Sequence, residues 1–386
     1  MAGATVDPRL LAPRAGRAPA ELVAADLGGD ATLLRIEGSA PSWSELAALG
    51  ATDRAEIRRF LGHVAALTMG VGPEDPWLAP AFDLWTTDPA EADRWEKGFE
   101  RAPRAAMAAA LLVRGGAERR PAAGTGPPPP RVSQNRGGRG RGPARGGVAA
   151  SEDVWPGLVA ESTTYSLLQA GSEFRQWLAT RAPGTAAADT RPRVRVERRG
   201  RLSEIVLIRP DRHNALDARM RDELHAALDD ARSRPDVTVV LRGEGPSFCS
   251  GGDLGEFGTA PGPVEAHAVR LGRSLALLMW EMRNRIVVGI HGSCLGAGIE
   301  LPAFADRVVA ADDARVGLPE LDLGLLPGAG GTVSIPRRAT SGVLLDLLLS
   351  GGTIDAGTAL AAGLVDEVVA RDQLRARVQE LAVEAT

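Results

Sequence analysis

Residues 286–331 read IVVGIHGSCLGAGIELPAFADRVVAADDARVGLPELDLGLLPGAGG and hold the pattern that decides the fold. The stretch opens with a short apolar run, typical of a buried strand, and a glycine-containing turn follows it. A helix is predicted to begin near Ile299, and backbone N–H groups at such a position can converge on an oxyanion. Two carboxylates, Glu300 and Glu320, each lie beside a glycine-containing turn. This stretch is therefore the candidate functional site.

The sequence around this stretch predicts an α/β domain. A β-hairpin is predicted from residues 193–197 and 205–209, with its turn at Arg199-Gly200. An amphipathic helix over 217–231, a strand over 238–242 and a helix over 262–282 follow. Strands and helices that alternate in short units are typical of α/β folds with crossover connections.

The N-terminal half is predicted to be mainly helical. Helical patterns lie at 42–69 in two pieces, at 83–113 and at 155–180, with one short strand or hairpin near 32–36. The predicted organisation is a helical region at 1–113, a disordered linker at 114–147, a helical segment and joint at 148–192, and the α/β domain at 193–386. The sequence assigns no role to the first 190 or so residues.

The predicted linker differs sharply in composition from its surroundings. Residues 114–147 contain eight Arg, one Glu and almost no apolar side chains. Such a segment buries too little surface to offset the entropy of ordering it, so a flexible linker is the first interpretation. Arg-Gly sequences also bind RNA through phosphate contacts and guanidinium stacking. A shifted reading frame is the third interpretation, because the composition changes abruptly on both sides.

Overall composition excludes several classes of protein. A net charge of −4 gives the whole chain no strong preference for nucleic acid or a membrane surface. Cys249 and Cys294 match neither a disulfide framework nor a metal motif, so we expect two buried thiols in a reducing compartment. No apolar run reaches the roughly 18 residues of a membrane-spanning helix, and the first residues lack the core of a signal peptide. A cytoplasmic protein is expected.

Five motifs, in order, resemble the enoyl-CoA hydratase/isomerase (crotonase) superfamily. They are RPDRHNAL at 209–216, SFCSGGDL at 247–254, HGSCLGAGIEL at 291–301, GLPELDLGLLPGAGGT at 317–332 and SGGTIDAGTALAAGLVDEVV at 350–369. The resemblance implies a crotonase-like α/β fold of repeated ββα units, preceded here by a mainly helical region. It also implies an acyl-CoA thioester as the substrate, no cofactor beyond the coenzyme A of that substrate, no metal, and a trimer or hexamer.

The same resemblance assigns roles to individual residues. The backbone N–H groups of Gly252 and Ala297 match the oxyanion hole that polarises the thioester carbonyl. Glu300 and Glu320 match the two catalytic glutamates of the hydratases, which together hold the water. Glu300 would help to activate this water and Glu320 would supply the α-proton. Further substrate contacts are expected from Ala215, Ser250, Gly251, Gly296, Pro327 and Gly328.

The predicted function is therefore that of an enoyl-CoA hydratase, a lyase that adds water across the 2,3 double bond of a 2-enoyl-CoA. An enoyl-CoA isomerase, which can operate with one carboxylate, and an RNA-binding relative without catalysis are the alternatives. Residues 154–162, VWPGLVAES, also resemble part of the helical extension of cofactor-independent dihydroxyphenylacetyl-CoA dioxygenases. Those oxygenases lack the glutamate pair, so Glu300 and Glu320 favour hydration.

Two residues close to the predicted site residues in sequence receive structural interpretations. His291 is expected to be structural, and Asp253 is expected to cap the helix that follows it.

Members of the family usually continue after the last motif with helices that cover the acyl pocket and help to build a trimer. This chain ends 17 residues after Val369. Either the N-terminal helices supply that cover, or the site is more open, or the chain is an inactive relative.

Overall fold

The computed structural model describes residues 4–11, 32–73, 75–118, 154–181 and 189–384. Most of the predicted linker, and with it the proposed RNA contact, lies outside these residues. One helix, however, runs on to Glu118, five residues into the segment predicted as linker. Within the described ranges, no helix is long and apolar enough to span a membrane.

The N-terminal part contains the predicted helices and also a parallel four-stranded sheet. Its strands are β1 (Ala4–Val6), β2 (Thr32–Glu37), β3 (Ala66–Val71) and β4 (Leu84–Thr86), paired in that order. Its helices are α1 (Ala40–Ala47), α2 (Ala51–His63), α3 (Pro89–Arg101) and α4 (Pro103–Glu118). Only β2 was predicted. Strand β3 is buried along its whole length, so it shows no alternation, and the helix predicted up to Met69 in fact ends at His63.

Two further helices separate this part from the main domain. The helix predicted over 155–180 is two helices, α5 (Trp155–Gln169) and α6 (Ser172–Ala179), with a break at Ala170-Gly171. Gly171 takes the extended conformation at the start of α6. The predicted joint at 182–192 lies partly outside the described residues.

The main domain is a six-stranded sheet and a smaller three-stranded sheet with helices around them. The strands are β5 (Val194–Arg199), β6 (Leu202–Leu207), β7 (Thr238–Gly243), β8 (Ile286–Ile290), β9 (Ser293–Leu295), β10 (Arg307–Ala311), β11 (Arg315–Gly317), β12 (Ile354–Asp355) and β13 (Glu367–Val369). The larger sheet has the order β13-β10-β8-β7-β6-β5, parallel except for the predicted β5–β6 hairpin, and the smaller has the order β12-β11-β9. The strands predicted at 238–242 and 286–290 are confirmed.

The helices of the main domain are α7 (Ala218–Arg232), α8 (Pro263–Gly272), α9 (Leu275–Glu281), α10 (Ala297–Glu300), α11 (Gly331–Arg338), α12 (Ser341–Ser350), α13 (Ala356–Ala361) and α14 (Leu374–Glu384). The single helix predicted over 262–282 is wrong, because α8 and α9 are separate. The Ser274 hydroxyl accepts the Leu277 N–H at 3.2 Å and so begins a new helix there. The helix predicted near Ile299 starts two residues earlier, at Ala297.

Burial on both faces of the larger sheet explains its apolar strands. Every residue of β8 is buried, and Val287 packs with Val240 and Val309 against α14 through Leu374 and Val378. The opposite face belongs to the main core, which also includes residues of α7 and α9. The sheet thereby holds the carboxyl end of β8, from which the 291–296 turn emerges, in a rigid position.

Helix α3 of the N-terminal part packs directly on α12 of the main domain. The Trp95 indole N–H donates to Asp346 Oδ1 at 2.7 Å, and the Arg101 guanidinium donates to the Leu349 carbonyl at 3.0 Å. Between these contacts the helices approach so closely that a Cβ added at Gly98 would lie 1.9 Å from the Leu349 oxygen. Only glycine fits at this position.

Gly98→Ala is therefore expected to destabilise the protein, by about 1–3 kcal/mol, because the added methyl forces the two helices apart. Gly62→Ala is the matched control, since Gly62 also lies in a helix but has nothing within 4 Å of an added Cβ. That change should be neutral or slightly stabilising, because alanine is the better helix former. Urea unfolding of both variants measures the difference, and equal stability of the two would contradict the close packing.

Candidate functional site

The RHNAL turn is held against the loop that carries Gly252 by one buried asparagine. His213 and Asn214 have φ of 49° and 52°, a left-handed conformation that Asn adopts more readily than most residues. The Asn214 amide donates to the carbonyls of Glu244 at 2.9 Å and Ser247 at 2.8 Å, and its oxygen accepts the Arg209 N–H. These hydrogen bonds fix the turn and the loop relative to each other.

The two loops predicted to form the oxyanion hole run side by side. Cys249 lies opposite Cys294 in a parallel bridge, and both are buried free thiols, as expected. A Cβ added at Gly251 would lie 3.9 Å from the Gly296 Cα, so the residues that follow, Gly252 and Ala297, are on adjacent backbone segments. Among the described residues, neither of their N–H groups donates to an internal acceptor. For Ala297 this follows from its place at the first position of α10.

Glu300 is buried, and the backbone of the PGAGG turn holds its carboxylate. Its Oε2 accepts the N–H of Ala329 at 2.8 Å and the N–H of Gly331 at 2.9 Å. The Ser334 hydroxyl donates to the Glu300 carbonyl at 2.7 Å, which fixes the short helix itself. The other carboxylate oxygen, Oε1, is directed toward Gly296, since an added Cβ there would lie 3.8 Å from it.

Glu320 approaches the same glycine. It begins a short 3-10 turn, Glu320–Leu323, and its Oε1 would lie only 2.6 Å from a Cβ added at Gly296. Its Oε2 is buried and has no hydrogen-bond partner among the described residues. The two predicted glutamates therefore both come close to Gly296, next to the unpaired N–H of Ala297. No group of three His, Cys, Asp or Glu side chains in the described ranges is placed to hold a metal ion.

Burial changes the acidity of both glutamates. It raises the pKa of Glu300 well above the usual value, and the negative charges of Glu320 and Glu161 raise it further. Burial likewise raises the pKa of Glu320 to about 8, and the charges of Glu161 and Asp322 add to this effect. Near neutral pH the site therefore retains at least one proton on its carboxyl groups, as sites for general acid–base chemistry require.

A third buried carboxylate, which sequence analysis missed, comes from the N-terminal helix α5. Glu161 accepts the Gly330 N–H at 2.7 Å and the Thr332 N–H at 2.9 Å, and the Thr332 hydroxyl donates to it at 2.6 Å. One signal was present in the sequence. Glu161 lies three residues after Leu158 and four before Tyr165, so it shares the buried face of α5 with these apolar side chains.

Helices α5 and α6 also cover the site. The Tyr165 ring lies on Gly328, where an added Cβ would be 2.5 Å from the ring. On the other loop, the Phe257 ring covers Gly252 and packs against Trp177 of α6 with ring centroids 5.9 Å apart. Of the three expectations about the cover, the structure supports the first, in which N-terminal helices provide it.

The remaining predicted contact residues form two groups and one separate position, Gly296. Ser250 donates its N–H to the His213 carbonyl at 3.0 Å, so Ser250 and Gly251 lie beside the turn that contains Ala215. Pro327 and Gly328 lie across the site: Pro327 is close to Gly331, and Gly328 is beneath Tyr165. Gly296 lies close to both glutamates. Their contact with a substrate stays a prediction.

The two residues interpreted as structural are placed as expected. Asp253 accepts the Gly255 N–H at 2.8 Å, which caps the short 3-10 helix Leu254–Glu256, and it also pairs with Arg209 at 2.6 Å. His291 is buried at the end of β8, and burial together with the charge of Arg371 lowers its pKa to about 4. His291 is thus neutral near neutral pH and is not a proton donor there.

Comparisons with known proteins place this domain in a family. The family model for enoyl-CoA hydratase/isomerase matches residues 197–385. A protein of Bacillus subtilis (strain 168) named "Probable enoyl-CoA hydratase" is 36% identical over 162 residues, which are 42% of this chain and 62% of that relative, so the match spans less than two thirds of its length.

Solved structures of similar proteins include two enoyl-CoA hydratases. The one from Thermoplasma volcanium GSS1 is 31% identical and has a TM-score of 0.45, covering 51% of this chain and 79% of its own. The one from Mycobacterium tuberculosis H37Rv is 31% identical with a TM-score of 0.42, covering 50% and 80%. Through residues 197–385, this chain belongs to the enoyl-CoA hydratase/isomerase (crotonase) superfamily.

Proposed function

We propose that this chain is an enoyl-CoA hydratase, which adds water across the 2,3 double bond of a 2-enoyl-CoA thioester. The observation that carries the proposal is the pair of buried carboxylates that both come close to Gly296, beside the free N–H of Ala297. The Gly252 and Ala297 N–H groups would hold the thioester oxygen as negative charge develops on it. A carbonyl polarised in this way makes the β-carbon electrophilic, so water can add there.

The hydrogen bonds around the two glutamates support a division of labour between them. Glu300 Oε2 accepts two backbone N–H groups, which oppose the rise of its pKa on burial and stabilise the carboxylate form that takes a proton from water. Glu320 Oε2 has no donor in the described part of the chain, so its neutral form is favoured. Glu320 then delivers its proton to the α-carbon, and the product is a 3-hydroxyacyl-CoA.

Spectrophotometry with purified full-length protein tests this proposal. Mixing it with crotonyl-CoA, and then with medium-chain and aromatic 2-enoyl-CoAs, should remove the absorbance of the conjugated enoyl thioester for at least one of them. Appearance of the matching 3-hydroxyacyl-CoA by mass spectrometry confirms that water was added. If none of these enoyl-CoAs is hydrated, the proposal is rejected.

A second candidate, oxygenation of an arylacetyl-CoA, is favoured by one observation. Residues 154–162, which resemble the extension of dihydroxyphenylacetyl-CoA dioxygenases, include the start of α5 and place Glu161 beside the turn that holds Glu300. An oxygen electrode with dihydroxyphenylacetyl-CoA as the substrate measures this activity. Oxygen uptake without hydration of any enoyl-CoA would favour this candidate over the hydratase.

A further inference from the structure

Four consecutive backbone N–H groups bind two different carboxylates in alternation. Those of Ala329 and Gly331 donate to Glu300, and those of Gly330 and Thr332 donate to Glu161. The segment leads into α11, whose first N–H groups have no acceptor inside the helix. Both carboxylates thus occupy the donors of the same turn, one from the main domain and one from the N-terminal part.

The turn that makes this alternation possible has a fixed shape. Gly330 has a φ of +100°, and a Cβ added there would lie 2.5 Å from the Phe304 ring, so the site admits glycine alone. The Thr332 hydroxyl adds a third hydrogen bond to Glu161 at 2.6 Å. With three donors on its carboxylate, Glu161 ties α5 to the segment from which Glu300 receives both of its own hydrogen bonds.

The charged and titratable groups around Glu161 come from four elements. Arg270 of α8 is the cation that attracts it, and the Arg270 guanidinium lies 4.6 Å from the centre of the Tyr165 ring of α5. Glu300 of α10 and Glu320 of the 3-10 turn are the anions it repels. His267, also on α8, hydrogen-bonds Ser162 next to Glu161.

These interactions act in opposite directions on the pKa of Glu161. Burial raises its pKa to about 7, while the donors from Thr332 and Gly330 and the charge of Arg270 oppose the rise. When Glu161 carries its charge, it raises the pKa of both Glu300 and Glu320. Through Glu161, helix α5 can therefore influence the proton affinity of the Glu300–Glu320 pair.

We propose that Glu161 is a positioning residue of this site: it fixes the 329–332 turn that holds Glu300, and it brings a carboxylate from helix α5 to the same turn as the Glu300 carboxylate. The site is then incomplete in residues 197–385 alone and requires helix α5. The effect on catalysis rests on the proposed hydratase function. The effect on proton binding does not depend on any substrate.

Infrared spectroscopy of the full chain tests proton binding directly, because a protonated buried carboxyl group has its own C=O band. Glu300→Gln and Glu320→Gln assign the bands of the pair. In Glu161→Gln, the titration midpoint of those bands should move to lower pH by about one unit or more, since a nearby negative charge has been removed. Where the wild type hydrates an enoyl-CoA, the pH profile of kcat/KM should move in the same direction.

Glu173→Gln is the matched control. Glu173 lies on α6, and its carboxylate accepts the N–H groups of Arg104 at 3.0 Å and Ala105 at 3.2 Å at the start of α4. It binds a helix N-terminus as Glu161 does, but it does not contact the turn at 329–332. This variant should leave the carboxyl bands of the site unchanged.

Thr332→Val provides a second test if Glu161→Gln fails to fold. Loss of the hydroxyl donor disfavours the charged form of Glu161, so the bands assigned to the Glu300–Glu320 pair should titrate at lower pH than in the wild type. Unchanged midpoints in folded Glu161→Gln, or in Thr332→Val, would overturn the proposal even if the protein is an active hydratase. Conversely, a shift in a protein that hydrates nothing would leave the proposal standing and reject only the proposed function.

Discussion

Glu300→Gln and Glu320→Gln are each expected to lower kcat for the hydration of a 2-enoyl-CoA by about 10²–10⁴-fold. A positioned acid or base contributes roughly this factor, and an amide can neither accept the proton of water nor deliver one to the α-carbon. Glutamine keeps the size of glutamate, so the packing around these two buried positions should change little. Steady-state kinetics with the best enoyl-CoA found for the wild type measures the loss.

The pattern of losses separates hydration from isomerisation. A hydratase uses both carboxylates, so either change should abolish most of the activity, and the double variant should be little worse than each single one. An isomerase should lose most of its activity with only one of the two changes. Glu265→Gln is the control, because Glu265 is exposed on α8. If both glutamine variants keep the kcat of this control, the assigned roles are wrong.

Local signals in the sequence predicted the parts of the fold that lie around the site. Strand β8 was predicted from its apolar run, and the β5–β6 hairpin from its turn residues. The position of Gly252 beside Ala297 has no local signal, because it depends on the pairing of two loops 45 residues apart in sequence, with Cys249 opposite Cys294. Only the resemblance to a known family predicted that these two residues lie close together.

Features that depend on distant contacts could not be predicted. Glu161 and Gly330 are 169 residues apart in sequence, so nothing near Glu161 indicates its partner. Strand β3 of the N-terminal part is buried on both faces and lacks the alternation by which half-buried strands are recognised. The break between α8 and α9 is different, because it is a local feature: the Ser274 hydroxyl accepts the Leu277 N–H, and the prediction of one helix overlooked this cap.

Replacement of Glu320 by Gln is expected to make the protein more resistant to alkaline pH. The pKa of this carboxyl group rises from about 4.5 in the unfolded chain to about 8 in the folded one. A group of this kind stabilises the fold fully below its unfolded pKa, and the stabilisation is lost as pH rises through its folded pKa. Relative to the wild type, Glu320→Gln should therefore gain up to about 4 kcal/mol in free energy of unfolding between pH 5 and pH 9.

Urea unfolding of the wild type and Glu320→Gln at a series of pH values tests this expectation. The difference in free energy of unfolding should widen steadily in favour of the variant between pH 5 and pH 9. Glu173→Gln serves as the control, because Glu173 lies on α6 and does not belong to the Glu300–Glu320 pair. Parallel curves for the wild type and Glu320→Gln would mean that Glu320 is already ionised near neutral pH in the folded protein. In that case it could not hold the proton that the proposed reaction delivers to the α-carbon, so this single measurement bears on both stability and mechanism.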